Sequence, residues 1–560
     1  MSKLLTLHDP AAARRLYDSG VWRDDTLYAL LCRHAAARPD AFALRDATRR
    51  LTYGALKAWV DALAADLDAA GLRSGDRIGV WLPNRVEAVV VFLACNRQGY
   101  VCNASLHHNY RAGQIVELMR EIDAKALITR TGHGADGASV DLYAALRALP
   151  SLSRIYRIDA NADARRPGEA AFPAADAKAD ALPAANGNPD RVIYLAFTSG
   201  TTGKPKGVMH SDNTLLANAR PMVADWGLDA TTVLLSLSPM SHHIGTVALA
   251  QILVAGGELV VDDRAKGESA LDWIAESGAT YVMGVPTHAM DLLAEMRRRK
   301  LDALGRVKTF YMAGAPIPTE IAEGFLALNV TPQNVYGMTE NGSHQYTLPS
   351  DDVRTIVETC GRANAGFEVR IVDAENPDRD LAPGAVGEIA SRGGNLMLGY
   401  FNNQSATEAS FNRSGWFLSG DLGSLDERGC LRIYGRKKDL IIRGGHNIYP
   451  AEIEDLALRH PGIAKAAAFA IADERLGEKV CLAVIAAHEE DIEAEAVLAH
   501  LHAAGLSKYD MPEYFIALAA FPLTPSGKIL KRELVEWAKS GRIRPAPVRW
   551  RGESSEPRRA

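Results

Sequence analysis

The stretch Phe197–His210, FTSGTTGKPKGVMH, holds the densest set of residues suited to chemistry in the chain. Glycines and two lysines stand there among small hydroxyl residues. Gly200 and Gly203 let backbone N–H groups come close to an oxyanion, while Thr198, Ser199, Thr201 and Thr202 add hydroxyls. Lys204 contributes a mobile positive charge. Such a set can cradle phosphate. The loop of kinase-type nucleotide hydrolases has a wider glycine spacing and a Ser or Thr directly after its lysine, to hold magnesium. Here only two residues separate Gly200 from Gly203, and Pro205 follows Lys204, so this is a different anion loop. A plain turn would need neither the hydroxyl run nor the lysines.

The loop follows the apolar run VIYLAF, and so stands at a strand end, where α/β proteins gather ligand sites. Apolar runs of strand length alternate with amphipathic segments through most of the chain. Leu56, Trp59, Val60, Leu63 and Leu67 share one helical face, and Arg77–Pro83 then reads as a buried strand. The segment from Ile158 to Asp190 is rich in Ala, Asp and Pro and reads as a solvated surface connection. Texture changes near Gly429: shorter strand-like and helical segments follow. At 560 residues one core is not expected. The division predicted is a large α/β domain over 1–435, a small α+β domain over 436–540, and a disordered basic tail over 541–560.

A net charge of −5 excludes bulk attraction to nucleic acid or to an anionic membrane. No window approaches the ~18 uninterrupted apolar residues of a membrane span, and the N-terminal apolar run is too short for a secretory signal. The six cysteines show no CxxC pair or metal-ligand spacing, which suits reduced thiols in a cytoplasmic protein.

TSGTTGKPKGV resembles the phosphate-binding signature of the adenylate-forming superfamily, which includes acyl- and aryl-CoA synthetases, luciferases and peptide-synthetase adenylation domains. Further motifs follow in that family's order: AGAPIP at Ala313–Pro318, VYGMTE at Val335–Glu340, WFLSGDLG at Trp416–Gly423, YGRKKDLI at Tyr434–Ile441 and PLTPSGKILKREL at Pro522–Leu534. The overall look is nearest to short- and medium-chain acyl-CoA synthetases and cyclohexanecarboxylate–CoA ligases. The resemblance implies a large domain of adenylate-forming type with a small mobile domain after it. The implied reaction begins with attack of a carboxylate on the α-phosphate of ATP. That gives an acyl-adenylate and pyrophosphate, and the acyl group then passes to coenzyme A. A carboxylate is already ionised near neutral pH, so the first step needs alignment and charge neutralisation rather than a base.

The resemblance also assigns roles. Thr198 to Lys204 would cradle the β- and γ-phosphates, and Thr339 and Glu340 would meet the α-phosphate and carry Mg2+. Tyr336 would stack on adenine, with Gly314, Ala315 and Asn334 along its edge. Asp421 and Arg436 would hold the ribose. Lys528 would bridge carboxylate and α-phosphate during adenylation, and Asp439 would be the hinge of the small domain. Gly444 and Gly445 would let a pantetheine arm pass in the second half-reaction. Taken singly, each of these residues has a plain reading as a solvated or turn residue.

PMSHHIG at Pro239–Gly245 matches the family's proline-to-histidine motif, with Ser241 where many relatives carry an aromatic residue. His242 is the motif histidine, expected beside the reacting carboxylate, and His243 is expected to touch the acyl group. Met283, Gly284, Gly337 and Met338 are the other expected pocket walls. Neutral, small or apolar walls favour a compact monocarboxylate: medium-chain, alicyclic or aromatic. Relatives also include aryl-acid adenylating enzymes that load an acyl carrier protein, and many are homodimers. No carrier domain is visible here, which favours free CoA.

Overall fold

Continuous apolar runs without alternation call for strands covered on both faces. Ile78–Trp81 is such a run, buried at every position, and so is Val192–Phe197. The computed structural model describes residues 4–158, 169–177, 179, 182–198, 205–265, 267–315, 317–487, 492–524 and 528–550. Within them, Arg77–Trp81 and Val192–Thr198 belong to one sheet of seven strands. Its far edge is the antiparallel pair of Val192–Thr198 with Lys206–Ser211. A second sheet of nine strands carries, in neighbouring positions, Val233–Ser236, Tyr281–Gly284, Thr309–Met312, Thr331–Met338 and Gly342–Tyr346. All of these neighbours pair in parallel except the last, an antiparallel hairpin.

Helices cover the sheets because their apolar positions recur at helical spacing. Tyr53–Ala69 buries Leu56, Trp59, Val60, Leu63 and Leu67 and is capped by the Thr52 side chain. Val86–Gln98 and His243–Ala255 are apolar almost all round, and they lie buried in the main core that both sheets share. A third sheet of four antiparallel strands, Phe367–Val372, Gly387–Gly393, Phe417–Leu425 and Leu431–Arg436, closes the large domain.

The next strand, Ile441–Arg443, joins another sheet, so the chain crosses between domains over Lys437–Asp439. In the small domain Ile463–Asp473 and Gly477–Ala486 form a long antiparallel pair under the helices Pro450–Leu458 and Ala494–Ala503. Two expectations change here. Residues 541–550 are not a free tail: Ala546–Pro547 pairs with Tyr514–Ala517, and Val548 and Trp550 pack on the small-domain core. The Ile158–Asp190 connection is not wholly solvated either. Glu169–Ala170 adds an edge strand, and Phe172 packs edge-on against Trp59. No helix among the described residues is long and apolar enough to cross a membrane.

Candidate active site

The two large sheets and the small domain meet at a cleft of about 1470 Å3. Thr198 and Lys206 line it from the paired strands that flank the glycine-rich loop. The expected cradle residues Ser199, Gly200, Thr201, Thr202, Gly203 and Lys204 lie outside the described residues. Lys206 was missed as a site residue, although it is the second lysine of the loop motif. Its ammonium sits over the Tyr400 ring, 4.8 Å from the centroid.

The Tyr400 hydroxyl donates to Glu340 Oε1 at 2.9 Å, and the Glu340 carbonyl accepts from Met397 N at 2.7 Å. Glu340 lies in the turn between Thr331–Met338 and Gly342–Tyr346, a hairpin closed so tightly that position 337 must be glycine. A Cβ on Gly337 would lie 1.8 Å from the Gly342 carbonyl oxygen. Burial pushes the Glu340 carboxyl above its ordinary range; the Tyr400 hydroxyl and the residue's own amide pull the other way. A buried carboxylate held only by neutral donors suits a cation. Among the described residues no group of three or more ligating side chains could hold a metal alone. Glu340 is the residue that would hold a magnesium ion here, and the ion would supply charge neutralisation on a polyphosphate.

On the opposite wall, strand pairing sets Asp421 directly across from Arg436, with Nε 3.5 Å from Oδ1. The Tyr336 hydroxyl donates to Asp421 Oδ2 at 3.0 Å. The Tyr336 ring, however, packs on Ile371, Ile389 and Leu431 and is not part of the cleft wall. Asn334 is also set back: it is buried and donates to the Ile356 carbonyl at 2.5 Å. Of the expected adenine edge, Gly314 and Ala315 line the cleft while Asn334 does not.

Lys528 reaches this centre from the small domain. A bridge between Leu523 and Ile529 and paired bonds between Thr524 and Lys528 hold it in place. Its stem lies on Gly314, where a Cβ would come within 2.8 Å of Lys528 Cε. Gly314, at φ +93°, is thus glycine both for its backbone and for the lysine's passage. Burial, and then the charge of Arg436, push the Lys528 ammonium down to about 8, against the pull of Asp421 and Glu340. The same lysine also disfavours the charged form of His242, whose pKa is lowered first by burial. Lys528 therefore stands between Glu340, Asp421 and Arg436 on one side and His242 on the other.

At the acid end, His242 caps the helix His243–Ala255, its Nδ1 accepting from Ile244 N at 3.3 Å. His243 begins that helix and stacks on Tyr194 and His210, with centroids 5.9 and 5.3 Å away. The buried Nδ1 of His243 has no hydrogen-bond partner among the described residues, and burial holds the ring neutral. Gly337 and Met338 line the cleft. Met283 and Gly284 do not. Met283 is fully buried in the core, and the wall there is the next turn, Val285–Thr287. The loop after Val101–Asn103 supplies walls that no motif announced: His107, Asn109 and Tyr110. His107 Nδ1 lies 3.1 Å from Ser241 Oγ, so an imidazole fills space beside this small residue. Asp439 lines the small-domain side. Gly444 and Gly445, at φ +60° and +87°, form the two-residue turn of a hairpin outside the cleft.

Such a site can neutralise a polyphosphate at one end, seat a carboxylate under a lysine and a neutral histidine, and hold a short acyl tail beyond. Residues 31–401 match the family described as AMP-binding enzyme, and residues 452–528 match the AMP-binding enzyme C-terminal domain. The chain is 33% identical to a medium-chain fatty-acid–CoA ligase of Escherichia coli (strain K12), over 91% of this chain and 90% of that one. It is 32% identical to a feruloyl-CoA synthase of an Amycolatopsis species, over 90% of this chain and 97% of that one. Among solved structures it resembles ATP-bound MatB from Rhodopseudomonas palustris, with a TM-score of 0.78 and 28% identity, covering 92% and 99% of the two chains. The chain belongs to the AMP-binding, adenylate-forming enzymes. Its activity class is AMP-forming ligation of a carboxylic acid to coenzyme A.

Proposed function

We propose that this ligase activates a monocarboxylic acid with a compact uncharged tail: medium-chain, alicyclic or aromatic. One observation carries the reading. Apart from Arg436, which is paired with Asp421, Lys206 is the one lysine or arginine among the large-domain residues described at the cleft, and it stands beside Tyr400 at the phosphate end. The acid end offers histidines held neutral by burial, with His107 pushed down to about 4. A second carboxylate would be buried there without a cation, at a cost of several kcal/mol. The imidazoles, Asn109 and Tyr110 also leave room for a hydroxyl or carbonyl on the tail.

In the first half-reaction a carboxylate oxygen attacks the α-phosphorus, and the bond from that phosphorus to the bridging oxygen breaks. Pyrophosphate leaves with the electron pair. Lys528 draws together the two anions that must approach, which is the main barrier to the step. Lys206 and the glycine-rich loop balance the charge of the leaving group, and Asp421 with Arg436 grips the ribose. Glu340 would hold magnesium, which supplies charge neutralisation on the phosphates. In the second half-reaction the thiolate sulfur of CoA attacks the acyl carbon and AMP departs. Gly444 and Gly445 would reach the cleft for that step by rotation of the small domain about Asp439.

The test is pyrophosphate release by purified protein across a panel from propanoate to decanoate with benzoate, hydroxybenzoates, cyclohexanecarboxylate and malonate, each with and without CoA. Acid-dependent release stimulated by CoA is expected, with malonate inert. Release indifferent to CoA would instead favour an acyl carrier protein as acceptor. A preference for malonate would overturn the pocket reading.

A further inference from the structure

His210 closes the strand Lys206–Ser211, just beyond the glycine-rich loop, and is 1% exposed. Its Nε2 lies 2.6 Å from the carbonyl oxygen of Thr339, and its Nδ1 lies 3.0 Å from Thr214 Oγ1. A carbonyl can only accept, so Nε2 carries the proton and Nδ1 accepts from the threonine hydroxyl. Burial pushes the ring's pKa down to about 4, which keeps this tautomer neutral across the working range.

The bond fixes more than one atom. In a planar trans peptide the C=O and the following N–H point in opposite directions. Holding the Thr339 carbonyl toward His210 therefore turns the Glu340 N–H away from it, and that amide favours the charged form of Glu340's own carboxylate. The other contacts on Glu340 come from Tyr400 and Met397. On its face, the His210 ring stacks on His243 at 19° between planes, and His243 lines the acid end. One side chain thus ties the strand of the phosphate loop, the Thr339–Glu340 peptide and the acid pocket together.

We infer that His210 is a positioning residue for adenylation: its Nε2–H sets the Thr339–Glu340 peptide plane, and hence the Glu340 carboxylate, relative to the bound acid. The inference rests on the ligase reading above. It assigns the role to one donor hydrogen rather than to the bulk of the ring. Gln places its amide nitrogen close to where the histidine Nε2 stands, whereas Leu fills similar space with no donor.

The test compares wild type, His210→Gln and His210→Leu using the best acid of the panel. Three quantities are read: steady-state pyrophosphate release, the dissociation constant of a metal-free, non-hydrolysable acyl-adenylate analogue by calorimetry, and the thermal midpoint. Loss of one positioned hydrogen bond should lower kcat of His210→Leu by about 10- to 100-fold. Analogue binding should weaken in parallel, with KM for ATP and acid within about threefold. His210→Gln should stay within about threefold of wild type in all these quantities. A folded His210→Leu with near wild-type kcat would overturn the inference. So would a His210→Gln as impaired as His210→Leu, since bulk or ring stacking would then be what matters. If wild type itself releases no pyrophosphate with any acid, the ligase reading fails first, and analogue binding still reports on His210 separately.

Discussion

Lys528 combines a role with a measurable signature. An ammonium buried beside Arg436 and over Gly314 loses its proton near pH 8 rather than in the ordinary lysine range. The protonated form is the one that can draw carboxylate and phosphate together, so adenylation should fall as pH rises through about 8. The alkaline limb of kcat/KM for the acid, measured by pyrophosphate release between pH 6.5 and 9.5, should show this group. Lys528→Gln should lower adenylation by about 100-fold or more. Thioester formation from a supplied acyl-adenylate should change far less, because on the proposed reading the lysine's work ends when pyrophosphate leaves. Equal loss in both half-reactions would make Lys528 a structural residue.

The hairpin after Thr331–Met338 places Thr339 and Glu340 by bringing two backbones together at Gly337. Gly337→Ala has nowhere to put its methyl group, so the hairpin must open. A loss of about 3 kcal/mol or more is expected by denaturant unfolding, with activity lost as Glu340 shifts. A second element carries a different cost. Asp212 opens the helix Asp212–Asp225 from inside the core, with one oxygen accepting from Leu27 N and Asn96 and the other without a partner. Burial pushes its carboxyl up to about 7. A raised folded-state pKa means that the protonated form's contribution to stability is complete below about pH 4 and fades as pH rises through about 7. Wild type should thus lose on the order of 2–4 kcal/mol relative to Asp212→Asn over that window. Parallel stability curves for the two proteins would dismiss the idea. Such elements also show what the sequence conveys. The motif residues Asp421, Arg436, Glu340 and Lys528 reach one cleft because strand pairing and turns fix their places, and their types were readable in order. Met283 was misplaced because a strand buried on both faces gives no sign of which residues at its end turn outward. His107, Asn109 and Tyr110 lie in a loop whose position depends on sheet packing far along the chain, and no spacing rule carries that.

On the proposed reading, the orientation of the small domain against the large one decides which half-reaction is presented. Here the small domain docks with Lys528 inside. Its helix Pro450–Leu458 and the residue just after it face the helix Thr319–Ala327 of the large domain. Arg459 Nε meets Glu320 Oε1 at 2.9 Å, and Asp455 Oδ1 accepts from Thr319 N at 3.1 Å. Nearby, Lys465 Nζ pairs with Asp291 at 3.0 Å. None of these contacts is deep: the Arg459 and Glu320 side chains are 40% and 29% exposed. Each such pair contributes roughly 0.2–1 kcal/mol. That suits an interface that, on the proposed reading, would hold during adenylation and release afterwards. Glu320→Arg sets two guanidinium groups against each other in this orientation, far from the reacting atoms. Pyrophosphate release should drop by about 3- to 10-fold, while thioester formation from a supplied acyl-adenylate stays level or rises. The paired change Glu320→Arg with Arg459→Glu restores opposite charges and should recover most of the loss. If the pair reversal fails to recover it, or if both half-reactions slow together, the contact serves folding alone and the small domain's orientation is set elsewhere, at the Lys437–Asp439 crossing.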